Sequence, residues 1–496
     1  MSGDRYDGVP YTEHAYAESH PDRLAVVARL SGWTPPPIER SRILELGCGR
    51  GGNIVPMAAS LPDATLLGID ASARQVDDAS RVIAATGLTN VRVVRGDIDS
   101  VRLDDGSYDF IVCHGVFSWV PLATRRALLA GIGRWLAPGG VAYVSANTLP
   151  GWYERLAARD WLRFASTSLG MPGEPSAARA SLAWLSGAIS PELGAARGAL
   201  DAVSRRLAET DPAYLVHEYL SPDHRPELVT TLLAEAGAAG LDYLGDATPS
   251  ATAIELLPDD AAARAESLDA VAAQQLVDFV RHTAFRRLLL VRKDTSAARG
   301  FRWPARLDAR AIEDLRVASR LRAREPPAPS APSEVFDGPD GAVVLFDPGV
   351  RAALHELARS APRAIPFADL ARRAGAGGAA LAGELLDLWL GTGAVDLHAY
   401  DPPMTTDVSA RPVACAVARW HAAHGGPITN RWHQEVVLSE ALVRSVLARL
   451  DGSRTIAELT ADAASLRDLA GATPDERARL VAASVDLLAA SALLTG

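Results

Sequence analysis

The sequence predicts an α/β fold, a doubly wound parallel sheet, followed by a separate α+β domain. Three observations predict it. Five short apolar runs alternate with helical stretches between residues 42 and 145, the pattern of right-handed strand–helix–strand units. A glycine-rich turn, Gly47-Cys48-Gly49-Arg50-Gly51-Gly52, directly follows the first run and opens a helix. A proline-rich stretch, residues 325–332, divides this part of the chain from the rest.

Taken in order, residues 1–33 read as a polar arm bearing Tyr6, Tyr11, His14, Tyr16 and His20, then a helix that Pro21 can start. Trp33 and Pro35-Pro36-Pro37 make a stiff connector. Strand signals fall at residues 42–46, 65–70, 91–97, 108–113 and 140–145, with helices at 71–86 and 124–136. Residues 152 to about 213 are helical and read as an insertion. Strand-like signals return at 215–220, an amphipathic helix covers 226–240, and 241–244 gives a sixth strand. A second helical insertion spans 259–282, and 285–293 reads as a closing edge strand. Beyond the linker, residues 336–400 and 429–496 are two stretches of similar size, each suited to a small winged-helix-like module. The division is therefore an arm or lid (1–33), a core (34–151), a helical insertion (152–213), the remainder of the core with its own insertion (214–300), a linker (301–334) and a C-terminal domain of two modules (335–496).

Composition narrows the function classes. The chain has 496 residues, 48% hydrophobic and 22% charged, which are globular values. Its net charge is −10, from 50 basic and 60 acidic side chains, which argues against a nucleic-acid partner. No run of 18 apolar residues free of charge suggests a membrane span, and no apolar leader follows Met1. Cys48, Cys113 and Cys415 are too few and too scattered for a disulfide framework or a zinc site. A reduced, cytoplasmic protein without a metal is expected.

The chemistry concentrates at strand ends. Glu45 stands two residues before Gly47, and the glycines do not keep the G-x-G-x-x-G step of a dinucleotide site. An acid there suits a ligand with an ammonium group and would repel a pyrophosphate. Asp70 closes the second strand 23 residues past Gly47, where an acid accepts two ribose hydroxyls. Asp97 closes the third, placed to accept an exocyclic amine, with Ile98 covering a ring face. Each acid alone could be a turn or cap residue. Together they line one crevice.

Residues 45–53, Asp70, Gly96-Asp97 and Leu136-Ala137-Pro138-Gly139-Gly140 resemble the ordered motifs of class I S-adenosylmethionine-dependent methyltransferases over about residues 40–150. Further segments extend the resemblance over most of the chain: the arm around His20-Pro21-Asp22-Arg23, His114-Gly115-Val116-Phe117-Ser118-Trp119-Val120-Pro121, Asn147-Thr148-Leu149-Pro150-Gly151-Trp152, His217-Glu218-Tyr219-Leu220 and Thr429-Asn430-Arg431-Trp432-His433. These are similar to bacterial methyltransferases with a methyltransferase regulatory domain, a group that includes rickettsial lysine methyltransferases acting on outer membrane protein B. The resemblance implies a Rossmann-like, seven-stranded sheet. It also implies S-adenosylmethionine as methyl donor, held by Glu45, Gly47, Cys48, Gly49, Asn53, Asp70, Ala71, Asp97, Ile98 and His114. The expected reaction is in-line methyl transfer to a nitrogen of a protein or peptide, lysine foremost. A small-molecule N- or O-methyltransferase of specialised metabolism and a non-catalytic donor-binding scaffold are the alternatives.

The acceptor site is expected above strands four and five, among His114, Phe117, Trp119, Asn147, Trp152 and Tyr153, with Tyr11 and Tyr16 reaching in if the arm closes. His114, Trp119, Asn147 and Tyr16 form the candidate catalytic set. Trp119 and Trp152 suit a core as well as a pocket wall, and Asn147 suits a turn cap as well as an acceptor contact. His217 and Glu218 read as structural. His421, His424 and His433 are spaced too loosely for a metal and read as solvated surface. Leu450-Asp451-Gly452 with Thr455 and Glu458 reads as a tight turn before a Thr-capped helix, or else as a peptide-docking motif. Removing residues 326–496 should leave donor binding intact and weaken use of the acceptor. The helical insertions could also carry a homodimer contact.

Overall fold

The computed structural model describes residues 13–303, 306–324, 332–339, 341–463 and 472–496. Tyr6, Tyr11 and most of the proline-rich stretch lie outside the described residues.

The core is a seven-stranded sheet in the order β3-β2-β1-β4-β5-β7-β6. Its strands are β1 (Arg42–Leu46), β2 (Thr65–Asp70), β3 (Val91–Arg95), β4 (Tyr108–Cys113), β5 (Leu136–Asn147), β6 (Leu241–Asp246) and β7 (Phe285–Arg292). β1 sits at the centre and pairs in parallel with β2 and β4. The topological switch therefore falls beside the glycine turn, where a ligand crevice is expected. β1 and β4 are buried on both faces, which suits strands covered by helices above and below.

Two expectations are corrected. Residues 285–293 are not an edge strand. β7 runs antiparallel between β5 and β6, and β6 forms the edge. The buried run Leu288-Leu289-Leu290-Val291 explains this, because both faces need cover and only an interior position supplies it. Residues 215–220 are not a strand. Pro212–Leu215 is a helical turn that passes into a π-helical turn, Val216–Leu220. Alternating burial at 213, 215, 217 and 219 imitates a strand. The Asp211 carboxylate accepting the Ala213 N–H at 2.7 Å, with Pro212 behind it, decides for helix.

The insertion after β5 is three helices, Tyr153–Ser168, Pro175–Ala188 and Gly194–Ala208, around a small core of Leu162, Leu182, Val203 and Leu207. Leu215 and Tyr219 join that core, so the π-helical turn is tied to the insertion. The helices Asp259–Glu266 and Ala270–Arg281 form the second insertion, where Asp278 holds the buried Arg286 of β7 at 2.8 Å.

Arg316–Ala318, inside the stretch read as linker, is the middle strand of a three-stranded sheet with Ile365–Pro366 and Asp396–His398. A second group follows, with the hairpin Ile428–Thr429/Glu435–Val436 and the helices Ala416–His424, Ala441–Leu447, Ile456–Ala463 and Pro474–Ala490. These C-terminal parts pack directly on the first helix, Pro21–Leu30. Asp22 accepts the backbone N–H of Ala399 at 2.6 Å and of Tyr400 at 3.0 Å, and pairs with the His398 ring at 2.7 Å. Among the described residues, no helix is long and apolar enough to cross a membrane.

Candidate active site

The glycine turn is shaped by close approaches. Gly47 has φ +73° and a Cβ added there would collide with Val116 Cγ2. Its N–H donates to the Ile69 carbonyl at 2.8 Å, which ties the end of β1 to the end of β2. Gly49 donates to Asp70 Oδ2 at 2.9 Å, and Ser72 donates to Oδ1 at 2.9 Å. The Asp70 carboxylate is thereby fixed across the mouth of the turn.

Behind the turn lies Glu45, a buried carboxyl. Its Oε1 accepts from Asn53 Nδ2 at 2.9 Å, while Oε2 is buried without a hydrogen-bond partner among the described residues. Burial pushes this carboxyl up to about 8. An orphaned carboxylate oxygen beside open backbone turns is the chemistry that receives a cation.

The arm closes over this region. Tyr16 N–H donates to Asn53 Oδ1 at 2.9 Å, and the same oxygen lies 3.3 Å from Ser19 Oγ and 2.8 Å from His433 Nε2. Glu13 pairs with Arg50 at 3.2 Å, and His14 with Glu435 at 2.9 Å. The arm is therefore held on one side by the core and on the other by the C-terminal domain.

One cavity of about 630 Å³ joins these groups. Glu45, Gly47, Cys48, Gly49, Asn53, Asp70, Ala71, Asp97, Ile98 and His114 all line it, and so do Tyr16, Trp119 and Asn147. His114 stacks on Tyr16 with ring centroids 3.7 Å apart, and its Nδ1 lies 2.8 Å from the Tyr143 hydroxyl. Burial pulls His114 down to about 3, so the ring is neutral, and burial pushes Tyr16 up to about 12. A wall of neutral aromatic rings does not repel a cation. Trp119 stacks on His224 at 4.2 Å, and the His224 Nε2 lies 3.0 Å from Asn147 Nδ2.

Other candidates fall outside the cavity. Phe117, 2% exposed, belongs to the packed interior under Arg125, and of the two readings left open for Trp152 the core one holds, with the ring 1% exposed against Tyr219 and His224. Tyr153 is exposed and outside the cavity. His433 and His421 are buried rather than solvated, because the C-terminal domain packs onto the arm and the turn; His424 alone of the three is exposed. Sequence reasoning missed Glu218, Tyr214, Asp211 and Arg155, which line the cavity from the helical insertion and the turn after it. Only the quoted segment at 217–220 carried any signal of them. Among the described residues, no group of three His, Cys, Asp or Glu side chains could hold a metal ion.

This strand order, with a glycine turn after β1 and acids closing β1 to β3, defines a class I methyltransferase fold. Three family models match in order: a methyltransferase domain over residues 43–140, a predicted methyltransferase regulatory domain over 211–292, and the PKMT C-terminal winged helix domain over 410–475. The chain belongs to the S-adenosylmethionine-dependent methyltransferases that carry this regulatory domain. It is 31% identical over 216 residues to the uncharacterized protein RP028 of Rickettsia prowazekii, covering 43% of this chain and 86% of that one. It is 32% identical over 291 residues to RP789 of the same organism, covering 58% of this chain and about half (53%) of the relative's length. The structure of PKMT2 from Rickettsia typhi in complex with AdoHcy superposes with a TM-score of 0.85 at 23% identity, covering 98% of this chain and all of that one. At that identity the likeness establishes the fold.

Proposed function

We propose that this chain transfers a methyl group from S-adenosylmethionine to a nitrogen of a protein or peptide, lysine foremost. The observation that carries the reading is that donor-type groups and an aromatic wall share one cavity. Glu45 Oε2 suits the donor's ammonium group, Asp70 its ribose hydroxyls, and Asp97 with Ile98 its adenine. At Gly47 and Gly49 an added Cβ would meet Val116 Cγ2 and Gln75 Oε1, so glycine alone keeps the turn that presents these groups.

S-adenosylmethionine supplies a methyl group activated by a sulfonium. The chain's part is to hold donor and acceptor in line at about 3–3.5 Å, which is where most of the acceleration in such a displacement arises. Tyr16, His114, Trp119 and Phe285 line a wall that can shield a cationic transition state from water and face it with rings. Asn147, held by Ser118 and His224, offers a polar anchor in that wall. The name PKMT2 and its AdoHcy complex belong to the structural neighbour and are consistent with this reading. The three cysteines are free and buried, which suits a reducing, cytoplasmic setting.

The test is incubation with methyl-labelled donor and a cell lysate. Label in a protein band, at lysine, is expected. Label only in a small soluble product would move the assignment to a metabolic methyltransferase. Calorimetry that finds no affinity for S-adenosylmethionine or S-adenosylhomocysteine would overturn it.

A further inference from the structure

We infer that Glu218 is the subsite that receives the acceptor's primary ammonium group and takes its proton before methyl transfer. This rests on the methyl-transfer reading and adds the residue and charge that select the acceptor.

The geometry is specific. Glu218 lies in the π-helical turn Val216–Leu220 and lines the same cavity as Tyr16, His114 and Trp119. π-Helical turns are rare and are often kept at functional sites. The main chain is pinned there, since Arg159 Nη1 donates to the Glu218 carbonyl at 2.9 Å. The carboxylate itself makes no hydrogen bond or ion pair with any described residue. Two guanidinium groups act on it electrostatically without reaching ion-pair distance, Arg155 and Arg159. Both are engaged elsewhere: Arg155 lies over the Trp152 ring at 5.1 Å, and Arg159 over the Trp119 ring at 5.8 Å. Tyr16 on the arm, Tyr214 before the turn and Tyr219 within it each feel the carboxylate as a negative charge, and Asp211 and Arg206 line the same cavity.

The Glu218 side chain is half-buried, so its carboxylate is open to the cavity and can be completed by solvent or by a ligand that enters it. Burial pushes Glu218 up to about 8, so it can exchange a proton near neutral pH. Among the described residues, Glu45 keeps one oxygen without a hydrogen-bond donor and Glu218 makes no ion pair, so the cavity offers two carboxyls to cations. Glu45 serves the donor's ammonium and Glu218 the acceptor's.

The step balances. The Glu218 carboxylate takes one proton from the ammonium. An N–H bond breaks, an O–H bond forms, and the nitrogen keeps its electron pair. That pair forms the N–C bond to the donor methyl as the C–S bond breaks, and the C–S electrons stay on sulfur as a thioether.

The experiment uses the full chain saturated with S-adenosylhomocysteine. Two probes are titrated by calorimetry, the peptide acetyl-Gly-Lys-Gly-amide and free n-butylamine. In the wild-type protein, affinity for a probe should rise between about pH 7 and 9, as the carboxylate ionises while the ammonium (about 10.4) stays charged. Glu218→Gln should lose at least tenfold in probe affinity at pH 8.5 and flatten the pH profile, with S-adenosylhomocysteine affinity within twofold of wild type. A peptide bound at least tenfold tighter than butylamine supports a polypeptide acceptor, and equal affinities support the same subsite used by a free amine. Wild-type protein that binds S-adenosylhomocysteine but neither probe, or Glu218→Gln that binds like wild type, overturns the inference. Wild-type protein that fails to bind S-adenosylhomocysteine overturns instead the methyl-transfer reading beneath it.

Discussion

His433 places its Nε2 2.8 Å from Oδ1 of Asn53, so a side chain of the C-terminal domain reaches the glycine turn directly. Asn53 passes the contact on, since its Nδ2 donates to Glu45 Oε1 at 2.9 Å. This contact gives the expectation that removing residues 326–496 leaves donor binding intact a specific point of test. His433→Ala should weaken binding of S-adenosylhomocysteine about tenfold, the scale of one buried hydrogen bond lost with its acceptor left behind (about 1–3 kcal/mol). His433→Gln should recover part of the loss. Calorimetry at a temperature where circular dichroism shows each variant folded checks this, and unchanged affinity in His433→Ala would disconnect the domain from the donor.

Asp70 and Gly47 should matter to the donor in different ways. Asp70→Asn keeps the shape and removes the charge that orders Gly49 and Ser72, so donor affinity should fall at least tenfold with little change in melting temperature. Gly47→Ala forces a side chain against Val116 at positive φ, so it should cost about 1–3 kcal/mol of stability as well as donor affinity. Thermal melts and calorimetry on the same samples separate the two effects.

With Glu45 as the proposed partner of the donor's ammonium, donor binding should depend on pH. Burial raises this carboxyl to about 8, so without a donor it is mostly protonated at pH 7. A cationic donor favours the ionised form, and binding must then release a proton. Donor affinity should rise by up to about tenfold per pH unit below pH 8 and fall again at higher pH as the donor's own α-ammonium deprotonates. Glu45→Gln should abolish the proton release. Titration in buffers of different ionisation enthalpy measures it directly.

Acid should loosen the junction between the first helix and the C-terminal domain. Burial lowers His20 to about 4 from an unfolded value near 6.5. The unfolded chain therefore binds the proton first. Stability is full above about pH 6.5 and falls by about 3 kcal/mol as pH drops to 4. Asp22 is also held below the usual carboxylate range, against the pull of its burial, by His398, His20 and the Ala399 N–H, and its contribution is lost in the same direction on acidification. Melting temperature measured from pH 8 to pH 4 should fall, and less steeply in His20→Asn. An equal fall in both would remove His20 from the account.

The sheet was legible because its strands are short apolar runs ended by glycine or acid, and a parallel sheet needs little more than that. Glu45, Asp70 and Asp97 were legible because ligand crevices form at strand ends, which the chain marks in order. The position of β7 was not, since a buried interior strand and a buried edge strand read alike until a partner is known. Residues 215–220 misled because a π-helical turn can bury alternate side chains. Glu218 reads as structural for a related reason: its lack of an ion pair with any described residue shows only in three dimensions. His433 looked like surface because nothing local announces a contact with a residue 380 positions earlier in the chain.

Asn53 accepts bonds from Tyr16, Ser19 and His433 on its oxygen and donates from its nitrogen to Glu45 and to Ser19 Oγ. A carboxamide puts an acceptor oxygen and a two-hydrogen donor nitrogen on one tip, which is what these neighbours require. Aspartate would match the outline yet set two acids face to face, and leucine would silence every neighbour at once. The start of the chain, its last domain and the methyl-donor turn thus meet at one carboxamide, and a change of one atom from nitrogen to oxygen would set them at odds.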